Sequence, residues 1–180
     1  MQVTKKLNLD RFKKSMKGLI DFAMLIEQAE PTHRAKIIEQ AEKQDREFVY
    51  KVMRKVVFFE ELIYIDETIV AEILSQVSPK VLAYALFGLP EAFQNQILKQ
   101  IGFREMRLYK DELEKTGGKV APALVLGAQK QIIKTARSLE AKDKFVFELS
   151  TCPRFKEKKK RPDSEAATDE EARPSLRLVK

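Results

Sequence analysis

Residues 25–51, LIEQAEPTHRAKIIEQAEKQDREFVYK, decide the fold, because they return about 60 residues later as residues 85–110, ALFGLPEAFQNQILKQIGFREMRLYK. Leu25-Ile26, Pro31, Ile37-Ile38, Gln40, Arg46-Glu47 and Tyr50-Lys51 are answered by Ala85-Leu86, Pro90, Ile97-Leu98, Gln100, Arg104-Glu105 and Tyr109-Lys110. A small gap near the proline keeps the two stretches in step. Each copy has apolar residues at helical spacing and a proline where a helix starts. A helical hairpin of this kind cannot bury its apolar face alone, so copies stack. The expected fold is all-α, an armadillo-like stack of helical hairpins.

Outward from the repeat the same period continues. Leu9, Phe12, Met16, Leu19, Ile20, Ala23, Met24 and Ile26 predict one helix from Leu9 to Ala29. Pro31 suits the first turn of the next, which runs to about Gln44. Asp45 then caps a helix containing Phe48, Val49, Val52, Met53 and Val56. Phe58 to Leu62 reads as a short helix or hinge. Asp66 caps 67–76, and Ser78-Pro79 is a cap followed by a proline at the first helical position. Pro90 opens a helix ending near Ile101-Gly102. Phe103 to Lys115 follows, stopped by Gly117-Gly118, and a last helix is expected from about Leu124 to Glu140.

Composition agrees with this architecture. The chain has 180 residues, 44% hydrophobic and 34% charged, enough apolar surface for one core beneath a heavily solvated helical exterior. Only 6 Gly and 7 Pro argue against a many-turned sandwich or barrel. Cys152 stands alone, which forbids an intramolecular disulfide and fits a reducing compartment. The N-terminus lacks the apolar run of a signal peptide. The longest apolar stretch, Val120 to Ala128, is far shorter than the ~20 residues of a membrane helix. A cytoplasmic protein is expected, not embedded in a membrane. From Pro153 to Lys180 hydrophobic residues nearly vanish. A basic run from Arg154 to Arg161 gives way to an acidic, polar one from Pro162 to Glu171, the composition of a disordered tail.

Catalytic chemistry is missing. His33 and Cys152 exhaust the soft metal ligands, so no zinc site of the usual kind can form and no cofactor is expected. A Ser-His-Asp arrangement would have to use His33, which reads as an exposed helix residue. Gly117-Gly118-Lys119 fails the phosphate-loop pattern, with Leu113 where glycine is required and Val120 where a hydroxyl is required. The paired acids Glu60-Glu61, Asp66-Glu67 and Asp111-Glu112 read as solvated helix faces or helix-start charges. The chain is not expected to be an enzyme.

In order and spacing, a series of segments resembles the flagellar motor switch protein FliG family. They are Glu42 to Phe48, Phe59-Glu60-Glu61-Leu62 with Ile65-Asp66, and Val77 to Gly88. Arg104 through Asp111-Glu112-Leu113 and Gln129 to Leu139 complete the series. The resemblance runs from about Met16 to Glu140. It implies residues 1–57 as the end of that family's middle domain, 58–150 as its C-terminal domain and 151–180 as the tail. It also implies a right-handed superhelix of armadillo-like helices at the cytoplasmic face of the flagellar basal body. Charged side chains of one helix would meet charges on a stator loop. At about 100° per residue, Arg104, Arg107, Asp111 and Lys115 share one stripe with Glu112 beside it. Met106, Tyr109 and Leu113 face the other way, and Leu108 interrupts the charged side. The same pattern is that of a solvated face with Arg107–Asp111 and Asp111–Lys115 pairs.

The sequence also departs from the family. Phe87 stands where the family has Lys before its Gly, and an exposed Phe87 suits an apolar contact better than an electrostatic one. Val120-Ala121 replaces the Arg after the family's turn, and the family's hinge motif reads Val56-Val57-Phe58-Phe59. The Glu-His-Pro-Gln signature and the ring-joining N-terminal domain are not expected in this chain.

Three function classes stand. The first is a truncated FliG-like interaction component whose partners are rotor, switch or stator proteins, with self-association through helix stacking also admitted. The second is a helical adaptor in a non-flagellar assembly, which Phe87 and Ala121 favour. The third is a binder of nucleic acid or anionic surfaces through Arg154, Lys156, Lys158, Lys159, Lys160 and Arg161, in keeping with a net charge of +7. Without a base-reading motif, nucleic acid is not the expected partner.

Overall fold

Short polar side chains set where the helices begin. Asp45 Oδ1 accepts the Phe48 N–H at 2.9 Å, Asp66 Oδ1 that of Thr68 at 2.8 Å, and Ser78 Oγ that of Val81 at 3.4 Å. Pro31, Pro79 and Pro122 occupy first-turn positions, where a missing N–H removes no helical hydrogen bond. The computed structural model describes residues 7–147 and Cys152. Among them it places α1 (Asp10–Lys13), α2 (Met16–Gln28), α3 (Pro31–Glu42), α4 (Arg46–Met53), a 3-10 turn (Phe59–Tyr64), α5 (Glu67–Ser75), α6 (Pro79–Leu86), α7 (Glu91–Leu98), α8 (Phe103–Lys115) and α9 (Pro122–Glu140). No strand occurs among the described residues.

The fold is all-α and armadillo-like, and its repeat is more regular than the sequence match suggested. The proline alignment needed a gap because Pro31 sits inside the first turn of α3, whereas Pro90 is the residue before α7. Helix starts and buried positions nevertheless keep a constant offset of sixty. Glu91 opens α7 as Pro31 opens α3, and the buried Leu82, Ala83, Leu86, Ile97 and Tyr109 answer the buried Phe22, Ala23, Ile26, Ile37 and Val49. Tyr50, matched to Tyr109 by sequence, is 64% exposed; the true counterpart of Tyr109 is Val49. In both copies the first helix packs on the third, α2 on α4 and α6 on α8.

The single helix expected from Leu9 to Ala29 is two. Ser15 is extended (φ −157°, ψ 163°) and its hydroxyl accepts the Gly18 N–H at 3.1 Å, so α2 starts afresh after α1. Gly18 permits the reversal: a Cβ there would lie 2.5 Å from the Phe12 carbonyl oxygen. Phe12 thereby reaches Phe22, with ring centroids 4.9 Å apart, and Phe22 reaches Phe48 at 5.9 Å. At the other end α9 begins at Pro122, earlier than expected.

Two buried clusters form. One gathers Leu9, Phe12, Phe22, Ile26, Val49, Val52 and Val56. The other gathers Val57, Phe59, Leu62, Ile73, Leu86, Ile97, Tyr109, Ile132 and Ile133, with Phe147 and Cys152. Cys152 lies within the stretch read as tail, yet it is buried, with its thiol 3.3 Å from Glu61 Oε1. The basic run from Arg154 to Arg161 falls outside the described residues.

Candidate functional site

Helix α8 is held by one face and offers the other. Tyr109 is 3% exposed, with its hydroxyl 3.5 Å from Gln94 Oε1, and Met106 and Leu113 pack half-buried beside it. Burial pushes the Tyr109 phenol above its ordinary value. At the start of the helix, Glu105 bends back over Gly102, its Oε2 only 2.6 Å from where a Cβ would stand. At the end, Gly117 and Gly118 adopt φ of 60° and 73°, the left-handed region glycine enters without strain. The Thr116 hydroxyl donates to the Leu113 carbonyl at 2.7 Å, closing the last turn.

On the solvent side Arg104, Arg107, Asp111 and Lys115 are exposed and Glu112 is half-buried, the arrangement expected from their spacing. The two expected i,i+4 pairs are not the ones formed. Lys115 pairs instead with Glu112 at 2.5 Å, whose half-buried carboxylate is the better-fixed acceptor. The hydrogen bond to Glu112, with that carboxylate's charge, raises the Lys115 pKa. Among the described residues no ion pair engages Arg104, Arg107 or Asp111. Within the described residues, three charges of the stripe are thus left without a direct ion pair, although the charge of Asp111 also bears on Lys115.

Other expected contact residues lie elsewhere. Phe87 caps the C-terminal end of α6 ahead of Gly88 (φ 73°) and is half-buried, less available than the exposed side chain expected. The prominent aromatic is one the sequence reading passed over. Phe103, the first residue of α8, is 89% exposed, and Leu108 on another side of the helix is 42% exposed. Phe103 lies off the Met106–Tyr109–Leu113 stripe, so the helical wheel already held that signal. Ala121 precedes α9 and is exposed.

The stretch Val56, Val57, Phe58 and Phe59, read as a hinge, is buried apart from the half-buried Phe58. A charged network clasps it. Arg137 donates from Nε to Glu27 Oε2 at 3.2 Å and from a terminal nitrogen to Glu27 Oε1 at 2.5 Å. The same side chain reaches the Lys55 carbonyl and, at 2.5 Å, Glu140 Oε2. Glu27 Oε1 also accepts the Val57 N–H at 2.8 Å, and the Phe147 ring lies 5.1 Å from the guanidinium. Burial disfavours the Arg137 charge, but the hydrogen bond and charge of Glu27, joined by Glu140, outweigh it and raise the pKa. Lys130–Glu30 at 2.5 Å and the Gln28 amide on the Lys130 carbonyl at 3.2 Å add to the same α2–α9 junction. Arg34 covers the Phe58 ring at 4.4 Å.

Neither catalytic nor metal-binding groups gather at these places. His33 is exposed on α3, and among the described residues no group of three His, Cys, Asp or Glu is arranged to hold a metal. No described helix is long and apolar enough to cross a membrane.

Comparison with known proteins supplies the family. The flagellar motor switch protein FliG of Thermotoga maritima is 29% identical over 130 residues, covering 72% of this chain and 38% of that protein. The FliG of Pseudomonas aeruginosa is 26% identical over 140 residues, covering 78% of this chain and 41% of its own length. The chain therefore spans about two fifths of the length of the curated relatives it matches. The crystal structure of FliG residues 86–343 from H. pylori shares the fold, with a TM-score of 0.52 at 21% identity over 73% of this chain and 61% of that one. The FliG C-terminal domain model matches residues 39–147, more than half of the chain, from within α3 through α8 and α9, and the protein belongs to the FliG C-terminal domain family.

Proposed function

We propose that this protein is a non-enzymatic component of a bacterial flagellar motor switch, acting in the cytoplasm and binding a protein partner through the solvent face of α8. One observation carries the reading: among the described residues Arg104, Arg107 and Asp111 stand exposed without an ion pair, on a helix anchored by a buried Tyr109. Charges left open by the fold are available to steer and orient a charged loop of a partner. Their place in a FliG C-terminal domain makes a stator loop or a neighbouring rotor protein the natural counterpart.

The test is recovery of flagellar rotor or stator proteins on the tagged full-length chain from its native host. Arg104→Glu should reduce that recovery at least several-fold while leaving the folded state intact, since exposed charges contribute little to stability. Undiminished recovery by a folded Arg104→Glu variant would remove α8 from the interface. Recovery of an unrelated complex would favour a helical adaptor outside the flagellum. Phe87 and Ala121, at positions where the FliG pattern has cations, support that second reading.

A further inference from the structure

At the end of α9 the chain turns back on itself. Asp143 adopts φ 55°, in the left-handed region that aspartate enters more readily than most residues. The Asp143 N–H donates to the Glu140 carbonyl at 3.0 Å and the Lys144 N–H to that of Leu139 at 3.2 Å, the paired bonds that close a helix and reverse its direction. The residues that follow alternate, with Phe145 half-buried, Val146 exposed and Phe147 buried, the two-residue period of extended chain laid along a surface. The rings of Phe145 and Phe147 sit 5.0 Å apart against the larger cluster, and Cys152 is buried in the same cluster.

Two lines of contact lead from these residues to adjacent peptide groups. The Phe147 ring lies against the Arg137 guanidinium, Arg137 holds Glu27, and Glu27 Oε1 accepts the Val57 N–H. The Cys152 thiol lies 3.3 Å from Glu61 Oε1, and Glu61 Oε2 accepts the Phe58 N–H at 2.9 Å. Both carboxylates are buried, so each depends on its partners to stay where it is. Val57 and Phe58 are consecutive, and they belong to the connector between the two clusters.

We propose that the chain past α9 is a strap that locks this connector. While Phe147 and Cys152 are seated, both carboxylates are held and both amides are tied. When the two side chains leave their seats, Arg137 loses the ring that shields it and Glu61 loses the thiol. Water then reaches the hydrogen bonds that fix Val57 and Phe58, and the connector is free to turn. The strap is also the part most ready to give way. Residues 141–144 and Val146 are exposed, so few contacts resist its removal, the profile of a segment that opens ahead of the rest of a fold. This inference does not rest on the flagellar reading.

The sole cysteine of the chain supplies the test. N-ethylmaleimide bonds one alkene carbon to the Cys152 sulfur and takes the thiol proton on the other. The added ring is too large for a sulfur seated 3.3 Å from Glu61, so alkylation traps the strap off. The folded full-length chain should be alkylated at least about a hundredfold more slowly than the chain unfolded in urea. Once alkylated, its amide exchange at Val57 and Phe58 should quicken at least about tenfold, while Phe22 in α2 and Val49 in α4 keep their rates. Phe147→Ala works from the other line of contact and leaves the thiol intact. It should speed both the alkylation of Cys152 and the exchange of Val57. Alkylation of the folded chain at the unfolded rate overturns the proposal, because the strap is then not seated. An alkylated chain whose Val57 and Phe58 exchange is unchanged, or quickens only in step with Phe22 and Val49, overturns it as well. So does a folded Phe147→Ala variant whose Cys152 reacts no faster.

Discussion

Arg137 illustrates how much can hang on one side chain. It is 3% exposed and its partner Glu27 is 4% exposed, so neither charge has water to fall back on. Among the described residues, truncating Arg137 to Ala leaves the buried Glu27 carboxylate with the Val57 N–H as its remaining hydrogen-bond donor. The expected loss is about 3–5 kcal/mol, read from urea unfolding. Replacing both together, Glu27→Leu with Arg137→Met, removes the stranded charge and should cost less than the single truncation, the remainder being about 1–3 kcal/mol for the Val57 N–H left without its acceptor. A loss under about 1 kcal/mol for Arg137→Ala, the size of an exposed pair, would mean that water reaches the site. None of this was legible in the sequence. Glu27 and Arg137 lie 110 positions apart, neither marked out from the other charged residues of its helix, and the packing of α2 on α9 joins them. Tyr109 was legible, because its helical phase alone sets it with Met106 and Leu113. Phe103 carries the same phase information, which sets it off the buried stripe and among the charged side chains of α8.

At the scale of the helices, local chemistry carried most of the signal. Asp45, Asp66 and Ser78 were readable as caps because a short acceptor before an apolar-periodic run has few other uses. The α1–α2 break was not, because it depends on Gly18 accepting a carbonyl from a segment folded back upon it, a tertiary event. The caps also set an acid limit. The Asp45 pKa is lowered by the hydrogen bond from Lys13, then by the Phe48 N–H, and that of Asp66 is lowered by Thr68. Glu39 is lowered likewise by its hydrogen bond and charge contact with Lys43. A carboxylate lowered on folding stabilises above the unfolded pKa, about 4. That contribution disappears as pH falls through the lower folded value. Thermal stability should therefore hold through neutral pH and decline from about pH 4 downward. Asp45→Asn should flatten that decline, and an unchanged acid limb by circular dichroism would show that Asp45 makes no part of it.

For the whole molecule, the repeat settles the architecture and the junction settles how its halves behave. The sixty-residue periodicity was visible in outline, blurred by a proline that serves α3 and α7 from different positions. What the sequence concealed was the burial of the stretch between the two clusters, since Val56-Val57-Phe58-Phe59 reads equally as a flexible apolar connector. Its amide at Val57 donates to the buried Glu27 carboxylate. Hydrogen exchange there should be as slow as in the core helices, and Arg137→Met should quicken it before the rest of the chain responds. Fast exchange in the unaltered chain would show a connector already free to bend.

Val56 and Val57 are consecutive residues, both 0% exposed, yet each is buried in a different cluster. A single peptide link thus spans the frontier between two packed interiors, and it has no slack to take up a gradual rotation. Turning one half against the other must first lift a valine from its seat, at a cost of about 1.5–3 kcal/mol. Such a junction acts as a detent: it should hold under small loads and yield only to a load that meets this cost.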